Sequence, residues 1–174
     1  MSNASVSLII GMLMIFSACA GIDKKPPVSS ASDVTQWRGP MVPVNPDLVN
    51  YQTGILEEFI DVDLITLKMH VEETLNEHKF LKNSLITTED MIVMRTKFKN
   101  ITEMIRNFKD HIVKLSFLIE IKETSQHIDG VSLKWQYGLC HAPFKSKHWI
   151  YDEIPVHVRD QVEEFLETLK MRFN

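Results

Sequence analysis

The side chains best suited to chemistry gather between Trp135 and His157. Cys140 and His141 are adjacent, His148, Asp152 and His157 follow, and Trp135, Tyr137, Phe144, Trp149 and Tyr151 alternate with Lys145 and Lys147. Thiolate, imidazole and carboxylate are the donor types of zinc sites. A thiol within hydrogen-bond reach of an imidazole is an activated nucleophile. Cys140, His141, His148 and His157 are therefore the candidates for a metal- or thiol-dependent centre. The spacing argues the other way, because neighbours on a strand point to opposite faces, which would separate Cys140 from His141. No HExxH, GxSxG, CxxC or phosphate-cradling glycine loop occurs. The expectation is thus no catalytic residue, no metal and no cofactor, with Cys140 a partly buried free thiol. The aromatic residues carry more functional weight. Trp135, Tyr137, Trp149 and Tyr151 beside lysines suit a protein or glycan contact surface, with a core for the C-terminal half as the alternative.

The other cysteine sits in a different setting. Residues 1–22 carry no charged side chain, and Val6–Phe16 is an apolar run followed by Ser17-Ala18-Cys19-Ala20. A spanning helix needs about 20 apolar residues, so this shorter run with small residues after it reads as a signal peptide. Phe16-Ser17-Ala18-Cys19 resembles the lipobox of bacterial lipoproteins. That resemblance implies cleavage before Cys19, acylation of its thiol, and a mature chain that begins there. Ala20, where an Asp would imply inner-membrane retention, implies sorting to the outer membrane. An ordinary secretory signal cut at Ala18-Cys19-Ala20, or an uncleaved anchor, is the alternative.

Residues 19–53 read as a lipidated cysteine and a Pro-rich tether. Pro26, Pro27, Pro40, Pro43 and Pro46 remove backbone donors and disfavour helix, which makes a semi-rigid spacer. Trp37, between Val34 and Pro43, either packs on the following domain or meets a partner, and it joins Trp135, Tyr137, Trp149 and Tyr151 in the candidate partner-binding set.

The elements that must position these residues lie in 54–174, read as one helical periplasmic domain. Met91, Met94, Phe98, Ile101, Ile105, Phe108, Ile112, Leu115 and Ile119 recur at spacings of 3 and 4, a heptad seam on one long helix. Thr87-Thr88-Glu89-Asp90 supplies its start signal. Ile60, Leu64, Leu67, Val71, Leu75 and His78 form a second face over about 55–82. The short connection at 83–87 makes the two helices antiparallel neighbours. Charge agrees with that pairing: residues 55–82 hold seven acids against three lysines, and 95–114 hold six basic residues against two acids. Pro155 opens a C-terminal helix with Val158, Val162, Phe165, Leu166 and Leu169 on one face. Asp129-Gly130 marks a turn, and Val131–Tyr137 alternates like a strand. Val113–Lys122 alternates too, so a β-hairpin over about 115–122 and 131–137 stays open. The predicted fold is mainly α: an antiparallel helical hairpin plus a C-terminal helix, with that small β-hairpin as the α+β variant.

Composition limits the function. The chain has 174 residues and a net charge of −4, which disfavours a nucleic-acid binder working by phosphate neutralisation. Anchor, tether and seam together point to a lipid-anchored, non-enzymatic component of a cell-envelope assembly, such as a secretion system, on the periplasmic face of the outer membrane. Its partners are the membrane, through its lipid, and envelope proteins, and an unfilled seam would drive homo-oligomerisation. A periplasmic binding, inhibitor or chaperone module is the alternative.

Overall fold

In the computed structural model, residues 40, 42–124 and 130–173 are described. The signal peptide 1–18, Cys19, Trp37 and Asp129 lie outside the described residues.

The fold is not mainly α. The described residues form an antiparallel six-stranded sheet with two helices. In chain order these are β1 (Tyr51–Ile60), α1 (Leu64–Glu77), β2 (Lys82–Thr87), β3 (Met91–Thr96), β4 (Lys99–Asn100), β5 (His111–Glu123), β6 (Gly130–Pro143) and α2 (Val156–Lys170). The spatial order is β1-β6-β5-β3-β2, with the short β4 also pairing with β5. Both helices lie on one face, α1 over β3 and β5, and α2 over β1.

The stretch 91–119, predicted as one heptad helix, is instead β3, β4, a 3-10 turn at Thr102–Met104 and most of β5. The seam residues Met94, Ile101, Ile105, Ile112, Leu115 and Ile119 are buried, but so are Ile92, Val113, Phe117 and Ile121, which the heptad leaves outside the seam. Along β5 the residues Val113, Leu115, Phe117, Ile119 and Ile121 all face the helices. This is the period-two pattern of a strand rich in β-branched and aromatic side chains. Asn107 adopts a left-handed φ of 61°, which no continuous helix accommodates. Thr87 to Asp90 closes the β2–β3 connection rather than capping a helix, with Thr88 N–H donating to the Met91 carbonyl at 2.8 Å.

The segment 55–82 divides into part of β1 and α1. The side chain of Asp63 caps α1 by accepting from the Thr66 N–H at 2.8 Å. Leu64, Leu67, Val71 and Leu75 of the expected face are buried, whereas Ile60 belongs to β1 and is exposed. The expected pairing of an acidic with a basic helix does not exist. Glu72 instead binds Lys68 and Lys82, Glu57 binds Lys170, and Glu77 binds Arg172.

The β-hairpin and the C-terminal helix form where the sequence places them, though β5 (13 residues) and β6 (14 residues) are both longer than expected. Ile119 pairs with Trp135 and Leu115 with Leu139. Pro155 precedes α2, and Val158, Val162, Leu166 and Leu169 are buried. The main core lies between the helices and one sheet face. A row of Ile55, Trp135, Ile119, Met94 and Leu85 crosses it from β1 to β2.

The other sheet face is covered at one end only. There Ile112, Cys140, Ala142 and Trp149 form a second, smaller core with Val44, Phe98, Phe144 and Tyr151 against it. Gly138 permits this cover, because a Cβ there would stand 2.5 Å from Val49 Cγ1 and 2.9 Å from Tyr51 Cε1. The remaining open face carries Leu56, Lys134, Glu120, Val93 and Ile86 in one row across five strands.

Candidate functional site

The aromatic residues divide between two cores. Trp135 has no exposed surface, and its ring meets Phe117 at 5.3 Å and Phe173 at 5.9 Å between centroids. Its position on the helix-facing side of β6 follows from alternation with Val131, Leu133 and Tyr137, so its ring offers no area to a partner. Trp149 is also buried. Its Nε1–H donates to the Val42 carbonyl at 2.9 Å, and Lys114 Nζ lies 4.6 Å from its ring centroid. The Tyr151 hydroxyl accepts the Asn45 N–H at 2.9 Å. Trp149 and Tyr151 thus clamp residues 42–49, which proline content assigns to the tether, onto the domain.

The proposed thiol–imidazole set is not assembled. Cys140 and His141 project from opposite faces of β6. Cys140 lies in the smaller core, and burial pushes its thiol up to about 12, with Lys114 only partly opposing this. A thiol so placed is protonated and shielded at neutral pH. His148 is exposed in the loop after β6, where its N–H is bonded to Ser146 Oγ. His141 and His157 do come together, around Phe108, which the sequence places only in the heptad seam. The Phe108 ring stacks on His111 at 4.1 Å and meets His141 and His157 edge-on at 5.3 and 5.5 Å. His141 Nε2 lies 3.2 Å from the Glu153 carbonyl oxygen, so that nitrogen carries the proton, and Nδ1 is buried without a partner. Burial lowers the His141 pKa, with the neighbouring His111 adding to the shift. Among the described residues, no group of three or more His, Cys, Asp or Glu side chains is arranged to hold a metal ion.

A polar cleft of about 210 Å³ opens where β1, β6 and α2 meet. Asn50, Gln52, Tyr137, Tyr151, Asp152 and Arg159 supply its polar walls, and Leu139 and Ile154 its apolar part. The Tyr137 hydroxyl reaches Gln52 Oε1 at 3.0 Å and Glu163 Oε1 at 2.7 Å, and burial with the Glu163 carboxylate raises its pKa. Arg159 Nε is buried and has no hydrogen-bond partner. The sequence singles out Tyr137 and Tyr151 but not Asn50, Gln52 or Arg159, which come from segments far apart in the chain and form no motif.

Comparison with protein-family models gives no match, and comparison with curated proteins gives none either.

At the far edge of the sheet, β2 is paired on one side only, and all six of its residues are exposed. Leu81, Leu85 and Ile86 lie there at 65%, 38% and 58% exposure. Over 83–87 the strand carries no charge, proline or glycine.

Proposed function

We propose that this chain is a lipid-anchored, non-enzymatic accessory of a cell-envelope assembly. Cys19 holds it to the periplasmic face of the outer membrane, and β2 receives an extended strand of a protein partner. The observation that carries this reading is the bare β2 edge. Natural edge strands are blunted by charge, proline, bulges or cover. In β2 the only such devices are Lys82 and the register shift between Lys82 and Ser84, both at its start. An open edge gives main-chain hydrogen bonds to an added strand, and exposed Leu85 and Ile86 give it side-chain pockets. The opposite edge, β1, carries Glu57 and Glu58 and a register shift between Thr53 and Ile55, so it is the better protected of the two. The lipobox-like Phe16–Cys19 supplies the membrane attachment, and the clamp at Trp149 and Tyr151 fixes where the tether meets the domain.

The test is co-purification from detergent-solubilised envelopes with parent, Ile86→Lys and Cys19→Ala chains. The parent brings down an envelope protein, Ile86→Lys stays in the membrane but loses it, and Cys19→Ala leaves the membrane fraction. Equal recovery of the partner by Ile86→Lys overturns the β2 assignment. An unchanged membrane fraction for Cys19→Ala overturns the anchor.

A further inference from the structure

The polar cleft between β1, β6 and α2 contains opposite charges that do not meet. Arg159 and Asp152 both line it, and among the described residues no ion pair joins them; Arg159 Nε is buried with no hydrogen-bond partner, and the Asp152 residue is exposed. A buried Nε with no partner is costly in a native structure, and an acceptor bound beside it would relieve that cost. The other free groups extend the pattern. The Asn50 amide has no hydrogen bond among the described residues. The single Tyr137 hydroxyl proton goes to the Glu163 carboxylate at 2.7 Å, so the Gln52 amide 3.0 Å away is engaged with the phenol oxygen and is not counted among the free donors. The Tyr151 hydroxyl accepts from the Asn45 N–H, so its proton is free to donate. Arg159, Asn50 and Tyr151 therefore bring donors to the cleft, and Asp152 brings a carboxylate acceptor.

We propose that this cleft binds the zwitterion of a free α-amino acid, its carboxylate on Arg159 and the Asn50 amide, its ammonium on Asp152. The guanidinium fork matches a carboxylate in bidentate geometry. An ammonium has three donors and no acceptor capacity, so it needs the carboxylate of Asp152. Leu139 and Ile154 leave an apolar margin for a short side chain. The volume of about 210 Å³ suits a ligand of this size and is below the roughly 300–1,000 Å³ of drug-sized pockets. The inference stands apart from the β2 assignment, because the cleft lies at the other edge of the sheet.

The test is calorimetric titration of the full mature chain with glycine, L-alanine, D-alanine and L-serine, with acetate and methylammonium as controls lacking one charge. At least one amino acid saturates the site, both controls bind weakly, and Arg159→Gln and Asp152→Asn each weaken binding by about tenfold or more. Arg159 makes no ion pair among the described residues, so Arg159→Gln melts no lower than the parent, and its loss of binding is not a loss of fold. Absence of saturable binding by all four amino acids overturns the proposal. So does binding by Arg159→Gln at parental strength, or equal binding of acetate alone.

Discussion

At the residue scale, chemistry is decided by which face of β6 a side chain occupies. Cys140 and His141 are neighbours in sequence and are separated by the sheet itself, as alternation requires. Two outcomes follow. In a Cys19→Ala chain, the Cys140 thiol resists a soluble aromatic disulfide reagent until the protein unfolds, because it is fully buried and its pKa is pushed up to about 12. Rapid labelling of the native chain would contradict this placement. His141 responds to acid in the opposite sense to a salt-bridged histidine. Burial lowers its folded pKa below the ordinary 6.5, so the unfolded chain takes up the proton first as pH falls. Its contribution is complete above about pH 6.5 and is lost as pH drops toward the folded pKa. His78 shifts the same way through burial and the nearby Lys99. The melting temperature should therefore fall as pH is lowered below this value, and less steeply in His141→Gln; a parallel profile for that variant would contradict it. The sequence identifies Tyr137 and Tyr151 as unusual but not as cleft residues. Arg159 was illegible because an isolated arginine in an amphipathic helix is ordinary until the fold brings β1 beside it.

At the element scale, α2, the strand over Val131–Tyr137 and the buried face of α1 were legible, because each has one dominant period. The stretch 91–119 was not, since its apolar residues satisfy both a heptad and an alternating template. Long-range pairing with β6 selects the strand. The end of α1 shows a second feature that composition hides. Lys79 takes a left-handed φ of 57°, its N–H donates to the Asn76 carbonyl at 2.9 Å, and the Phe80 N–H donates to the Leu75 carbonyl at 2.8 Å. This is a Schellman end with lysine where glycine is usual, and Leu75 and Phe80 supply its apolar contact. Lys79→Gly should stabilise the protein by roughly 1 kcal/mol in denaturant titration, since glycine removes the left-handed penalty. It also removes a like charge near Lys99. A destabilised variant would contradict this. Gly138→Ala has the opposite sign. Its Cβ displaces Val49 and Tyr51 from the sheet, at a cost of about 1–3 kcal/mol by the same titration. An unchanged midpoint would show that the cover shifts freely.

At the scale of the whole molecule, the sheet has two unequal edges. At β1, the clamped tether, α2 and the polar cleft surround the edge. At β2, nothing among the described residues covers the strand. The segment that leads into β1 is therefore clamped at one side of the sheet and the open strand lies at the other, the arrangement that the proposed bridging of an anchor and a partner needs. None of this was legible in the sequence, since Lys82-Asn-Ser-Leu-Ile-Thr87 reads as a connection between helices until β3 pairs with it. Ile86→Lys should leave the melting temperature nearly unchanged, because its side chain is 58% exposed. The most direct measurement is photo-cross-linking in intact envelopes, with the reactive group placed in turn at Asn83, Leu85, Ile86 and, as a control on α2, at Val156. The β2 positions should capture one common protein partner, and Val156 should not. Capture from Val156 with none from the three β2 positions would contradict the β2 assignment.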